Sequence, residues 1–348
     1  MLAATYIQGT GFEVADVPVP AIAADEILLQ VRATAICGTD TKMVRSGGRR
    51  LKTGQRIVLG HEFAGIVAEA GVSVQGFAAG SRVGVAPNFG CGRCEACIRG
   101  LANMCPDYSA FGIDRDGSHA AYVRIPAAVI AQGNVVELPA GMVWAEAALA
   151  EPLSCVLNAQ RSVHLAAGET VLVYGLGPMG LLHVVLAAAT GAARIIAVDP
   201  DARRLTAARA AGADVTVDSS RQAAPEQVLS ATGGRGVDVA ITAAPVAAIV
   251  PEALALLAPF GRLCLFAGLL KGQSAVALDA NLIHYRNLAV TGTTGGCNTD
   301  YRAALRLIAS GRADLRPVIS HTFALERLQE AYDTALAGQG LKIVLTAG

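Results

Sequence analysis

Val171-Leu172-Val173-Tyr174-Gly175-Leu176-Gly177-Pro178-Met179-Gly180 is a short apolar strand that turns through G-x-G-x-x-G into a helical stretch, Met179–Thr190, closed by Gly191. In a dinucleotide-binding turn the first glycine makes the bend, and the second lets a pyrophosphate approach the backbone. The third lets helix and strand pack closely, and the helix N-terminus faces the anion. With 38 glycines in 348 residues, the bare pattern is weak evidence. Its context is stronger, because a second strand, Ile195–Val198, follows and ends at Asp199, nineteen residues beyond Gly180. A carboxylate at that point accepts hydrogen bonds from the adenosine ribose and repels a 2′-phosphate, which favours NAD. Arg203 and Arg204 follow and soften that preference.

Working outward, an Ala/Arg helix at Ala202–Ala211 leads to a third strand, Val215–Val217. Further strands are expected at Val237–Thr242, Arg262–Ala267 and Leu288–Gly292, with a helix at Ala247–Ala258. Strands alternating with helices imply a parallel sheet covered on both faces. The first 150 residues have a different texture: short β-prone runs such as Glu26–Ala33, Gly65–Glu69 and Ala120–Ile125 alternate with Gly- and Pro-containing turns. The tail from Asp300 carries one or two amphipathic helices and a last strand, Leu341–Leu345.

Composition excludes several function classes. Twenty-eight basic residues balance twenty-eight acidic ones, which removes the electrostatic motive for binding nucleic acid or an anionic membrane. A 53% hydrophobic share, much of it alanine, supports a large aliphatic core. Val171 to Ala193 holds no Asp, Glu, Lys or Arg, but four glycine and proline interruptions make it a strand-turn-helix rather than a membrane span. No basic cluster precedes an apolar run near Met1, so the expectation is a cytoplasmic protein.

Four of the eight cysteines, Cys91, Cys94, Cys97 and Cys105, lie in one loop-like segment with gaps of two, two and seven residues. A large chain with such crowding points to metal rather than disulfides. Four thiolates can close tetrahedrally around a structural zinc. An iron–sulfur cluster is the rival, but the gap of seven departs from the usual cluster spacing. A second, dispersed set is Cys37-Gly38-Thr39-Asp40 with Gly60-His61-Glu62. One Cys, one His and a carboxylate would leave a metal open to a substrate oxygen. Taken singly, Cys37 and His61 have ordinary core readings.

Together these motifs resemble the zinc-containing medium-chain dehydrogenases, the superfamily of alcohol, sorbitol and threonine dehydrogenases. Gly60-His61-Glu62-x-x-Gly65-x5-Gly71-x-x-Val74 fits that family's zinc signature, and the resemblance spans essentially the whole chain. It implies an α/β architecture: a GroES-like β-barrel catalytic domain (residues 1–155 and 290–348) plus a Rossmann doubly wound parallel-sheet coenzyme domain (residues 156–289). By the same resemblance Cys37 and His61 are catalytic zinc ligands, and Glu62 is a direct or outer ligand. Glu151, in Ala150-Glu151-Pro152, completes the set as in the sorbitol and threonine branches, with Cys155 as the alternative. Thr39 would be the relay hydroxyl. Gly175, Leu176, Gly177, Pro178, Met179, Gly180, Asp199 and Arg204 would bind NAD, and two zinc ions per chain are implied.

The resemblance implies hydride transfer from a secondary alcohol, a polyol or sugar alcohol, to NAD in a homo-oligomer, dimer or tetramer. An L-threonine-type 3-dehydrogenase is the alternative, with Arg45 or Arg115 as the carboxylate clamp. A non-enzymatic zinc-binding interaction protein is a remote second alternative, and it leaves the dinucleotide turn unexplained. Two departures bear on the site. Lys42 stands where many relatives place a relay histidine, although an ordinary lysine is a poor base at neutral pH. Ser118-His119 replaces the commoner Gly-Phe.

Overall fold

The computed structural model describes residues 1–48 and 50–347. They form two compact units: Met1–Ser154 with Gly296–Ser310 and Ile319–Gly348, and Cys155–Gly295 with Gly311–Val318.

The second unit is built on a six-stranded sheet in which every neighbouring pair is parallel. From edge to edge the strands are Val215–Asp218, Arg194–Asp199, Thr170–Tyr174, Val237–Thr242, Leu257–Leu265 and Ala289–Gly292. The first three in the chain thus run outward one way and the last three the other. The chain reverses between Thr170–Tyr174 and Val237–Thr242, where open sheets of this kind bind ligands at the carboxyl ends of their strands. Helices cover both faces, so the central strands are apolar throughout: Val171, Leu172, Val173, Ile196 and Ala197 are all fully buried.

The expected helix at Ala247–Ala258 is shorter than the sequence suggested. It spans Ile249–Ala255, and the next strand already begins at Leu257 and ends at Leu265. Leu257 and Ala258 are fully buried, and a short apolar run buried on all sides has no period that separates helix from strand. The apolar stretch after Val171 is a five-residue strand and a twelve-residue helix. Among the described residues no helix is long and apolar enough to cross a membrane.

The first unit is β-rich. Strands Val135–Glu137, Arg82–Val85, Glu62–Ala70, Ile27–Ile36, Lys342–Thr346 and Ile319–Ala324 follow one another across one sheet, and Tyr122–Ile125 also pairs with Ile27–Ile36. Its apolar filling includes Ile27, Leu29, Val31, Phe63, Val83 and Phe111. Register decides what this sheet carries. Ala35 lies opposite Glu62 on one side, and Ile36 lies opposite Ile343 on the other. The end of Ile27–Ile36 therefore delivers Cys37 beside Glu62 and Lys342, which come from distant parts of the chain.

Candidate metal centres and coenzyme turn

The glycine turn has the shape its sequence demands. Gly175 adopts φ +86°, which an L side chain rarely tolerates, and a Cβ there would meet the Ala244 Cβ at 2.5 Å. A Cβ on Gly180 would lie 1.8 Å from the Gly175 carbonyl oxygen, so helix and strand are in contact at that point. Gly177 differs: a Cβ there would enter open space, the space a pyrophosphate needs. Gly177 also caps helix Pro178–Ala189 without a side-chain hydrogen bond, Pro178 occupies its first turn, and no acidic residue does. Proline suits that position because its missing N–H is an orphan there anyway. An uncapped, carboxylate-free helix N-terminus is suited to an anion.

Asp199 closes the turn from the neighbouring strand. It is almost fully buried, and its Oδ2 accepts from the Leu176 N–H at 2.7 Å while Oδ1 accepts from the Asp201 N–H at 2.9 Å. Arg204 Nη1 stands 3.6 Å from Oδ2. Arg203 turns instead to Asp201, with Nη2 at 2.8 Å from Oδ2.

The four lobe cysteines converge as their spacing suggested. The sulfurs of Cys91, Cys94, Cys97 and Cys105 all lie within 4.8 Å of one another. The Cys91 N–H points at the Cys105 sulfur at 3.3 Å and the Cys94 N–H at the Cys91 sulfur at 3.4 Å. Gly90 makes room for them, since a Cβ there would lie 2.5 Å from the Cys97 sulfur. The N–H groups of Arg93 and Cys94 pull the Cys91 thiol down to about 6. Burial and the neighbouring sulfurs push Cys97 up to about 12. Thiols pulled apart in this way all ionise together only against a cation, so the donor set fits a closed zinc site.

The second centre gathers Cys37, His61 and Glu62, whose ligand atoms also lie within 4.8 Å of one another. Cys37 sits at the N-terminus of helix Gly38–Ser46, where its N–H donates to Asp40 Oδ2 at 2.8 Å. Asp40 is fully buried and also accepts from the Gly60 N–H at 3.3 Å. Burial alone would raise the Asp40 carboxyl, but the His61 ring and the Cys37 N–H hold it down at about 2. His61 Nδ1 faces Asp40 Oδ1 at 3.6 Å, beyond hydrogen-bonding distance, and has no hydrogen-bond partner. A buried imidazole nitrogen without a hydrogen-bond partner, on a histidine grouped with Cys37 and Glu62, suits a metal ligand. The mixed Cys/His/carboxylate donors fit zinc.

Sequence reasoning missed two participants, Asp40 as the group behind His61 and Lys342. Lys342 Nζ bonds both oxygens of Glu62, Oε2 at 2.5 Å, with both side chains buried. The signal for it was a lysine inside the apolar strand Leu341–Leu345. Glu151 is buried but stands outside the group of three mutually close donors. Its charge is nonetheless felt at Lys342. Thr39 and Lys42 both lie exposed on helix Gly38–Ser46, three residues apart, while Asp40 and Met43 face inward.

The Ser118-His119 departure is structural. Ser118 Oγ and Thr34 Oγ1 share a buried hydrogen bond at 2.8 Å. His119 Nδ1 meets the Tyr332 hydroxyl at 2.6 Å, and Nε2 lies 3.2 Å from the Ala35 carbonyl. Both ring nitrogens are engaged inside the barrel. Arg45 donates to the Leu336 carbonyl at 2.5 Å, and Arg115 to Ser109 Oγ at 3.3 Å.

Comparison with known proteins agrees with this geometry. Residues 23–139 match the alcohol dehydrogenase GroES-like domain, and residues 178–310 match the zinc-binding dehydrogenase family. The chain is 34% identical over 340 residues to L-threonine 3-dehydrogenase of Bacillus velezensis, covering 96% of this chain and 95% of that protein. It is 34% identical over 342 residues to sorbitol dehydrogenase of Bacillus subtilis, covering 97% and 94%. Among solved structures, a protein of Sinorhizobium meliloti described as a zinc-binding dehydrogenase and bound to NADP superposes with a TM-score of 0.90. That match is at 31% identity and covers 99% and 98% of the two chains.

Proposed function

This chain belongs to the zinc-dependent medium-chain dehydrogenases, an oxidoreductase family acting on alcohols, and from that premise we propose that it oxidises a secondary alcohol of the polyol or sugar-alcohol type with NAD. The observation that carries the reading is the coexistence of the Cys37/His61 donor pair, with Glu62 close beside it, and an intact dinucleotide turn. Cys37 and His61 hold the catalytic zinc, with Glu151 as the third donor. Glu62 stands behind them, because Lys342 occupies both of its oxygens. When bound, that zinc supplies Lewis acidity toward the substrate hydroxyl. Thr39 Oγ1 receives the hydroxyl proton and passes its own onward. The glycine turn fixes the coenzyme, which carries the redox chemistry.

A polyol is favoured over threonine because both candidate carboxylate clamps, Arg45 and Arg115, are exposed and spent on other acceptors. A panel of polyols, sugar phosphates and L-threonine, read as NADH formation, decides the substrate. Turnover of threonine well above every polyol would overturn this choice. We place the enzyme in the cytoplasm, since Cys91, Cys94, Cys97, Cys105 and Cys37 are grouped as metal donors, which are best kept reduced. It is proposed to be a homo-oligomer: strand Ala289–Gly292 is a sheet edge with Val290 exposed along it. Light scattering that returns a monomer mass would reject this.

Two zinc ions per chain are expected by elemental analysis of protein purified without added metal. Cys94→Ser should bring the value to one and lower thermal stability, because the lobe folds around its ion. A value of one in the unmodified protein would remove one of the two assignments.

A further inference from the structure

The second and third strands of the parallel sheet end on carboxylates that lie in register: Asp199 is the ladder partner of Asp218. Adjacent strands run about 4.8 Å apart, and register partners leave the sheet on the same face. The Ser219 N–H donates to the Asp199 carbonyl at 3.4 Å, which ties the two strand ends together. In this topology the pyrophosphate lies at the turn after Thr170–Tyr174, and the adenosine extends over the ends of the second strand and then the third. Asp218 is therefore the next side chain outward from the ribose carboxylate.

Asp199 is a weaker fence against a 2′-phosphate than its position suggests. Two backbone N–H groups bond its oxygens, and Arg204 stands 3.6 Å away. Asp218 retains its charge differently. Its Oδ1 accepts from the Ser220 N–H at 3.0 Å and the Ser220 hydroxyl at 2.5 Å, and Oδ2 lies 3.2 Å from Arg221 Nε. The Ser220 hydroxyl and Arg221 hold this carboxyl below its usual range, so it is charged at neutral pH. Three guanidinium groups near the strand ends are able to receive a phosphate, and each is already held: Arg203 by Asp201, Arg204 by Asp199, Arg221 by Asp218.

We propose that Asp218 is a second coenzyme-selectivity residue, which meets a 2′-phosphate as a like charge and keeps Arg221 from receiving it. The proposal rests on the reading of this turn as an NAD site. It implies that selectivity is shared between two strand ends, so that replacing Asp199 alone leaves a substantial preference for NAD.

Calorimetric titration with ADP and with 2′,5′-ADP tests this on the whole protein without substrate. The unmodified protein should bind ADP more tightly. In Asp218→Asn, which keeps an oxygen for Ser220, the ratio of the two affinities should move on the order of tenfold toward 2′,5′-ADP, with ADP binding changed less than about twofold. Adding Arg221→Ala to that variant should remove the gain. Arg221→Ala alone, a change at an exposed side chain, should weaken 2′,5′-ADP several-fold and leave ADP unaffected, because it uncovers the Asp218 charge. An unchanged ratio in both Asp218→Asn and Arg221→Ala would overturn the proposal. Failure of ADP to bind the unmodified protein would instead overturn the coenzyme reading itself.

Discussion

Thr39→Val should lower kcat by about two to three orders of magnitude, while Lys42→Met lowers it less than about fivefold. The two side chains are neighbours on the outward face of helix Gly38–Ser46, yet only one is suited to the first proton step. The Thr39 hydroxyl both accepts and donates, so it passes a proton without holding a charge. It follows Cys37, a member of the candidate metal-donor group, by two residues, whereas the hydroxyl of Thr41 is turned into its own helix, onto the Gly38 carbonyl at 3.1 Å. Lys42 is exposed, and a solvated ammonium has no lone pair with which to accept. The reduced rate in Thr39→Val should appear in kcat with coenzyme binding preserved, and Thr39→Ser should recover most of it. A large loss in Lys42→Met that added amines restore would reverse the assignment and make Lys42 the base.

Parts of this site were legible in the sequence for a physical reason. The glycine turn and the cysteine lobe are each assembled within about fifteen residues, so local spacing constrains their geometry directly. Gly175, Gly177 and Gly180 play three different roles that the pattern alone assigns, and the structure separates them by what a Cβ would meet at each. The Cys37 centre is different. Its members reach one another through sheet register, and Lys342 lies 280 residues from Glu62. No periodicity connects two such positions. His119 shows the converse: a histidine where relatives carry an aromatic stands out in the sequence as a departure that bears on the site, but its ring is used in the core, where it bonds Tyr332 and Ala35. The misjudged helix at Ala247–Ala258 failed for a third reason, because burial on every side erases the pattern from which helices and strands are told apart.

Lys342→Met should destabilise the first unit by about 3–5 kcal/mol, the usual cost of breaking a buried ion pair from one side. Glu62 is fully buried and Lys342 nearly so, and the pair is bidentate. Burial alone would lower the Lys342 amine. The Glu62 carboxylate and then Cys37 outweigh it and raise the amine above its ordinary value. A raised lysine contributes stability that is fully present below its unfolded value and lost only in strong alkali, so across neutral pH the pair is intact. Removing the lysine leaves a carboxylate without a counter-charge beside Cys37 and His61. Lys342→Met combined with Glu62→Gln should recover much of the lost stability, because the cost lies in the orphaned charge rather than in the missing lysine. Denaturant unfolding of the three proteins, with zinc content measured alongside, gives the comparison. A Lys342→Met protein as stable as the unmodified one, with equal zinc, would mean that Glu62 has another counter-charge in the folded state. The natural candidate would then be the catalytic metal itself, with Glu62 as a direct donor in place of Glu151.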